Sequence, residues 1–466
     1  MPDGSAPVWY RPPAPRPKAA VQSLVEVVLR GERNLLSLLP AEAYSMRIGR
    51  LGWSRRGILL VNDPLLVAEV LRDADQIFPK NDLMVGALEG LVGHSMFVSH
   101  GSAWHRQRRM IDPAFSHMRI DRAFPSMLET VEAHCAALAE HPAGTVLSLD
   151  KMMSRLTADI VCRTIFSTSL ASSTARAVFD DFLIFERSCA SVDLRQLLLG
   201  RPWAHIDQPL EVSRACARIR THIGELLDAR RALHDRHPDR PSDDIAHAII
   251  AARDPETGEG FSREELIDQL GVFFLAGHET TASALTWAFF ILAMQPALAD
   301  RLRLELAGVR DGGPLTLDQL RRLGFARNVF REALRLYPPI TFIPRVALRD
   351  TEIGGFRVRR GNMIMIAPWS LHRHEDLWVQ ADCFHPDRFV TEQDHAHAAG
   401  AYIPFGQGPR VCVGAAFANM EAMLILALVS AAFDLEVLDA ERVRPAARLT
   451  TRPEHEVQVR LHPRSR

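Results

Sequence analysis

The stretch from Gly271 to Met294 is the strongest constraint on this chain. It is apolar over a length that would span a bilayer, for which about 20 residues suffice. Its middle, however, reads His278-Glu279-Thr280-Thr281, and a charged centre is expensive in lipid. The segment is therefore expected to be a long helix buried in protein, with a polar interruption that has a purpose. Ser262, followed three residues on by Glu265, makes the capping box that starts it.

Such a helix needs a large body around it. The chain has 466 residues, 47% hydrophobic and 24% charged, an ordinary globular composition that excludes disordered and fibrous classes. Lys and Arg number 55 against 56 Asp and Glu, for a net charge of −1. That balance argues against a nucleic-acid binder, whose affinity comes mostly from neutralising phosphates. The opening MPDGSAPVWYRPPAPRP lacks the cationic and apolar regions of a signal peptide. Residues 1–20 read as a Pro-rich, extended lead-in. The six Cys, at 135, 162, 189, 216, 383 and 412, form no CxxC pair, so zinc-ribbon and thioredoxin-like motifs lack support. Free thiols suit a reducing compartment. A cytoplasmic monomer with no membrane association is the expectation.

Periodicity divides the rest. Val21–Leu38 reads as a helix, and Tyr44–Arg50 with Gly57–Val61 as a strand pair. Helical text then dominates: Pro64–Asp73, Ser102–Ile111, Arg119–Glu140, Lys151–Ile165, Ser173–Phe185, Val212–Asp235, Ser242–Ala252, Ser262–Met294 and Leu317–Leu336. Short strands return at Ile353–Phe356, Met363–Ile366 and Val457–Leu461, with an apolar helix at Met420–Phe433. Strands cluster at both ends of the chain and no linker divides the middle. One mainly α domain over residues 1–466 with a small β-rich lobe is expected.

The chemistry concentrates just before that last helix, in Phe405-Gly406-Gln407-Gly408-Pro409-Arg410-Val411-Cys412-Val413-Gly414. Two glycines ahead of the Cys allow a tight turn, and Gly414 permits close approach of a bulky group. A thiol beside helix N–H dipoles is expected to have a lowered pKa and to present as thiolate. With Arg410 nearby, it suits an iron ligand beside an anionic group. Alone, Cys412 would be an ordinary buried Cys; the whole ten-residue frame says otherwise.

The frame F-G-x-G-x-R-x-C-x-G resembles the haem-binding signature of the cytochrome P450 superfamily, and the resemblance runs in order from Trp104 to Thr450. It implies a mostly α prism with a small β region, and haem b (iron protoporphyrin IX) ligated by the Cys412 thiolate. Three further motifs fit it. Glu332-Ala333-Leu334-Arg335 matches the family's E-x-x-R, and Pro386-Asp387-Arg388-Phe389 supplies the Arg of its structural triad, Glu332, Arg335 and Arg388. Ala276-Gly277-His278-Glu279-Thr280-Thr281 matches the oxygen-activation motif. Glu279 and Thr280 are then the acid–alcohol pair that relays protons, with Ala276 and Gly277 leaving room for O2 and substrate; His278 takes no role. Trp104, Arg108, Arg345 and Arg410 match haem-propionate positions. His372-Arg373-His374 falls in a structural L-H-R-x-x-x-x-W segment.

The resemblance implies insertion of one oxygen atom from O2 into a hydrophobic small molecule. By family position, Leu83, Met84, Leu91, Phe97, Phe273, Ala276, Ile340, Phe342, Ile343, Leu449 and Thr450 line the pocket, almost all apolar, as shape-based selection requires. Terpenoid, steroid-like, aromatic and fatty-acyl substrates all fit. Too short a tail follows Cys412 for a reductase domain, so electrons from NAD(P)H are expected through a ferredoxin and ferredoxin reductase. Arg106 and Arg109 are expected to face solvent as the docking site for that partner. A peroxide-driven peroxygenase and a haem-based gas sensor or carrier are the alternatives; the intact Glu279–Thr280 pair argues against both.

Overall fold

The computed structural model describes residues 9–19, 21–22, 25, 34–51, 54–73, 76–189, 208–236, 244–390 and 400–464. Most of the expected Val21–Leu38 helix, and residues 1–8 of the lead-in, lie outside them.

The helices, in chain order, are α1 (Pro64–Arg72), α2 (Asp82–Val92), α3 (Gly101–Ile111), α4 (His117–Ala139), α5 (Leu149–Phe166), α6 (Ser173–Cys189) and α7 (Leu210–Arg236). They continue with α8 (Ile245–Ala251), α9 (Arg263–Met294), α10 (Pro296–Val309), α11 (Leu317–Arg321), α12 (Gly324–Leu336), α13 (Pro368–Leu371) and α14 (Ala415–Ala432). The capping box of Ser262 and Glu265 is present at the start of α9. This helix runs through the centre of the molecule, packed along α5 and touching α2, α7, α10, α12 and α14. Nearly every side chain from Leu266 to Leu292 is buried, which is why its sequence is apolar all round rather than striped.

The expected single helix Leu317–Leu336 is two. Leu323 leaves helical geometry, and the Glu305 carboxylate of α10 accepts from the backbone N–H groups of Phe325 (2.6 Å) and Ala326 (2.9 Å). A side chain from another element thus caps α12, a signal invisible in the local sequence.

Eleven short strands are described, named in chain order. Ile48–Arg50 (β1), Leu59–Val61 (β2), Ile343–Val346 (β4) and Met363–Ile366 (β7) make one sheet, ordered β1-β2-β7-β4. In it Leu59 pairs with Ile364 in parallel and Ile343 pairs with Ile366 antiparallel. Val146–Ser148 (β3), Phe433–Val437 (β8) and Gln458–Pro463 (β11) make a second sheet, ordered β3-β11-β8. Two hairpins complete the set: Thr351–Ile353 (β5) with Phe356–Val358 (β6), and Pro445–Ala447 (β9) with Thr451–Pro453 (β10). The main core joins α9, α5, α12 and α14, while a smaller apolar cluster lies under the first sheet. The chain is helix-rich with small sheets, as the sequence implies. By length and composition α14 could cross a membrane, but 67% of it is buried inside the protein.

Candidate functional site

Cys412 sits in the long connection between α13 and α14, just before α14, and that loop is held from below. Gly406 and Gly408 take φ of +74° and +76°, a region L side chains avoid. A Cβ on Gly408 would lie 2.4 Å from the Leu71 carbonyl oxygen at the end of α1, so only glycine lets the loop dock there. The Cys412 N–H then donates to Phe405 O at 2.9 Å. Cys412 is exposed as a residue, while protein surrounds its thiol. Burial pushes its pKa up, with the Gly414 N–H and Arg108 pulling the other way. The direction is opposite to the expected lowering: burial outweighs the Gly414 N–H and the Arg108 charge, and a metal cation would stabilise the thiolate.

Around this loop two of the expected cations, Arg410 and Arg108, converge with Trp104. Arg410 lies over the Trp104 ring, 4.3 Å from its centroid, and donates to Ser99 O. Arg108 donates to Val411 O at 2.8 Å and pairs with Asp112. Arg345 is buried in β4. A thiol flanked by an indole and guanidinium groups suits a dianionic iron porphyrin, one side chain for the metal and several for the carboxylates. The residues present fit haem.

Behind the loop lies the buried ion cluster. Glu332 receives Arg335 through two nitrogens at 2.7 Å each, Arg388 Nε at 3.1 Å, and the His385 N–H at 3.0 Å. Arg335 spends its remaining donors on the carbonyls of His372, Ala381 and Cys383. His372 extends the cluster toward the cysteine: Nδ1–H donates to Arg335 O, and Nε2 accepts from the Ile403 N–H at 2.9 Å. Burial and the nearby Arg335 charge depress its pKa to about 3, so it stays neutral and keeps that tautomer. Gly406 N–H in turn donates to Ile403 O. The chain of contacts thus runs from α12 to the cysteine loop.

On α9, Ala276 and Thr280 lie one turn apart and stay half-buried where most of the helix is shut in. Thr280 Oγ1 donates to Ala276 O at 2.7 Å. Glu279 points elsewhere and is buried. It accepts from Thr450 Oγ1 (2.5 Å) and Arg452 Nε (2.6 Å). A Cβ on Gly277 would meet Val161 of α5 at 2.9 Å, so this glycine also serves close helix packing. Thr450 commits its hydroxyl to Glu279, so it belongs to a polar network and not to an apolar lining.

Of the other expected pocket residues, Leu91 and Phe273 are buried, with Phe273 against Phe115. Met84, Phe97, Phe342 and Leu449 are partly buried against the main core. Ile343 packs on the smaller cluster and Ile340 is half-buried. The side chain of Leu83 lies outside the described set. The expected solvent-facing docking pair is overturned. Arg106 pairs with Glu265 at 2.7 Å and donates to Gly260 O, and Arg109 holds Asp254 and Glu256. Acids distant in sequence neutralise both.

The family model for cytochrome P450 matches residues 12–461. This chain is a cytochrome P450. Its cofactor is haem, and its activity is that of a monooxygenase. The P450 is 32% identical to cyclooctatin synthase of Streptomyces melanosporofaciens, over 91% of this chain and 90% of that one. It is 30% identical to pentalenene oxygenase of Streptomyces avermitilis, over 86% and 87%. Among solved structures, the haem domain of cytochrome P450DA superposes with a TM-score of 0.77 at 26% identity, covering 90% of this chain and 89% of that one.

Sequence reasoning missed Arg452, Glu186 and the structural part of His278, because Glu279 and Arg452 lie 173 positions apart. It also passed over Glu421 on α14. That carboxyl is fully buried beside Thr281, and burial raises its pKa well above the usual carboxylate range.

Proposed function

We propose that this P450 hydroxylates a terpenoid, taking electrons from NAD(P)H through a ferredoxin and its reductase. Cys412 would supply the thiolate that holds the haem iron, and Trp104, Arg108, Arg345 and Arg410 would hold the propionates. Bound haem supplies activation of O2 and insertion of one oxygen atom. The observation that carries the reading is the split on α9: the Thr280 hydroxyl lies on a reachable face with Ala276, while the neighbouring Glu279 sits buried in a polar network. An alcohol in front and an acid behind can pass protons toward the reacting side, which a gas carrier does not need. The apolar neighbours Met84, Phe97, Phe342, Ile343 and Leu449 support a hydrocarbon-like ligand held by shape. The names of the two Streptomyces relatives support the terpenoid class.

The test is a ligand panel of cyclic terpenes, steroids, aromatics and fatty acids, read by the low- to high-spin Soret shift. Turnover with a ferredoxin system is then compared with turnover on H2O2. The expected result is a shift with terpenes and product labelled from 18O2. A shift confined to another class changes the substrate assignment; product with H2O2 and none with the ferredoxin system overturns the electron route.

A further inference from the structure

The connection between α2 and α3 lies against α9, held there by paired polar groups. Asp268 accepts from the His94 N–H at 2.8 Å and from Arg220 at 2.6 Å. Gln107 accepts from Ser99 Oγ at 2.7 Å and donates an amide N–H to His94 O at 2.8 Å. Two atoms are left over. Gln269 Nε2 and Ser95 Oγ have no hydrogen-bond partner among the described residues, and both residues are fully buried, at 0% exposure.

The Gln269 amide gains nothing by turning over. Its Oε1 accepts from the Met96 N–H at 3.1 Å, and a flip would set two donors against each other. The NH2 group therefore keeps no acceptor, which is costly in a dry interior. Its place on α9 is informative. Gln269, Phe273, Ala276 and Thr280 stand at i, i+4, i+7 and i+11, on one face of the helix. On that face Ala276 and Thr280 remain reachable. Ser95 adjoins Met96 and lies between Leu91 and Phe97 in the chain, so both unpaired atoms belong to one contact between this face and the connection.

We propose that Gln269 and Ser95 anchor an oxygen already present on the substrate, so that the terpenoid taken is a hydroxyl- or carbonyl-bearing one rather than a bare hydrocarbon. Such an oxygen accepts from Gln269 Nε2–H. Ser95 Oγ–H donates to a carbonyl, or its lone pair accepts from a hydroxyl. A hydrocarbon leaves both atoms unpaired, and a site with buried unpaired groups rejects the ligand that lacks the matching oxygen. Gln269 and Thr280 are about 16 Å apart along the helix axis. The anchored oxygen therefore lies at the end of an elongated ligand away from the carbon that reacts. The proposal rests on the terpenoid reading and on Thr280 marking the reacting side.

The experiment titrates the haem-loaded parent, Ser95→Ala, Gln269→Glu and the double variant, all with the parent's reduced-CO spectrum. The ligands are farnesol and geranylgeraniol, each beside the hydrocarbon that lacks only the hydroxyl. Dissociation constants are read from the Soret shift, and the site of oxidation from mass spectra of the products. Gln269→Glu keeps an acceptor for the Met96 N–H and removes the donors. In the parent the alcohols should bind about tenfold tighter than their hydrocarbons and react at the end remote from the hydroxyl. Each single variant should cut that preference severalfold through the alcohol alone, and the double variant should abolish it and scatter the products. A merely structural role predicts that alcohol and hydrocarbon weaken together, and that result overturns the anchor. If alcohol and hydrocarbon shift the parent's band alike, as when a fixed water holds both atoms, the terpenoid reading stands and the anchor alone falls. If only ligands of another class shift it, the terpenoid reading has failed and takes the anchor with it.

Discussion

The cysteine side of this P450 and the acid side of its central helix are both built on buried carboxylate–guanidinium pairs, and they are completed differently. Glu332 faces two guanidinium groups and a backbone N–H, and Arg335 sends its other donors to three carbonyls. Glu332 and Arg335 have no exposed side-chain surface. Glu279 shares a single, partly exposed Arg452 with a second carboxylate, beside a histidine nitrogen that has no hydrogen bond. Full satisfaction leaves nothing to gain by moving, so the first cluster is a frame. Competition between two acids for one cation makes rearrangement cheap, so the second is suited to motion.

The sharpest way to break this contrast is Glu332→Gln. It leaves two buried guanidinium groups facing a neutral amide, and a loss of about 3–5 kcal/mol is expected. Denaturant unfolding and the rate of haem loss measure it. Parent-like values would mean that the frame is no frame.

His372→Gln probes the same side through pH. His372 is neutral when folded, with its pKa held at about 3 against an ordinary 6.5. The unfolded chain therefore binds the extra proton between those values. The stability from this depressed pKa is complete above pH 6.5 and is lost as pH falls toward 3, at up to about 1.4 kcal/mol per unit. Only the parent carries this dependence, so the cost of His372→Gln should be greatest at neutral pH and narrow in acid. A pH-independent difference would remove His372 from the acid response.

Thr280→Ala gives the smallest stability effect and addresses the acid side. Its hydroxyl bonds only within its own turn among the described contacts, so unfolding free energy should change by no more than about 0.5–1 kcal/mol. The ratio of product to NADH consumed should fall severalfold while NADH use continues. Unchanged coupling would show that Glu279 needs no alcohol partner.

The sequence made much of this legible. The capping box of α9 is a local pattern with a local cause, and the chain folds it as written. Gly408 is readable as a turn residue, yet its reason, the Leu71 carbonyl against its Cα, belongs to a helix that precedes it by hundreds of positions. The solvent-facing reading of Arg106 and Arg109 failed for a related cause. A cationic helix face looks exposed until Glu265 and Asp254 arrive beside it. Arg452 had no local signal at all, since one guanidinium near a hairpin is unremarkable until the carboxylates it divides are placed.

The frame also has a consequence in time. Glu332 and Arg388 are 56 positions apart, so at 5–20 residues/s the ribosome delivers the second roughly 3–11 s after the first. Until then the Glu332–Arg335 pair has no closing partner, and Ile403 has not arrived to fix the His372 tautomer. The N-terminal lead-in waits longest of all. Tyr337 donates to Pro13 O, Phe384 N–H donates to Tyr10 O, and Trp9 stacks on His385 at 3.8 Å. All three anchors lie on or beside the cluster, so these residues wait for partners that follow them by more than 300 positions. Contacts of such long sequence separation form slowly, and the chain must keep its long apolar central helix from aggregating until this strap can close.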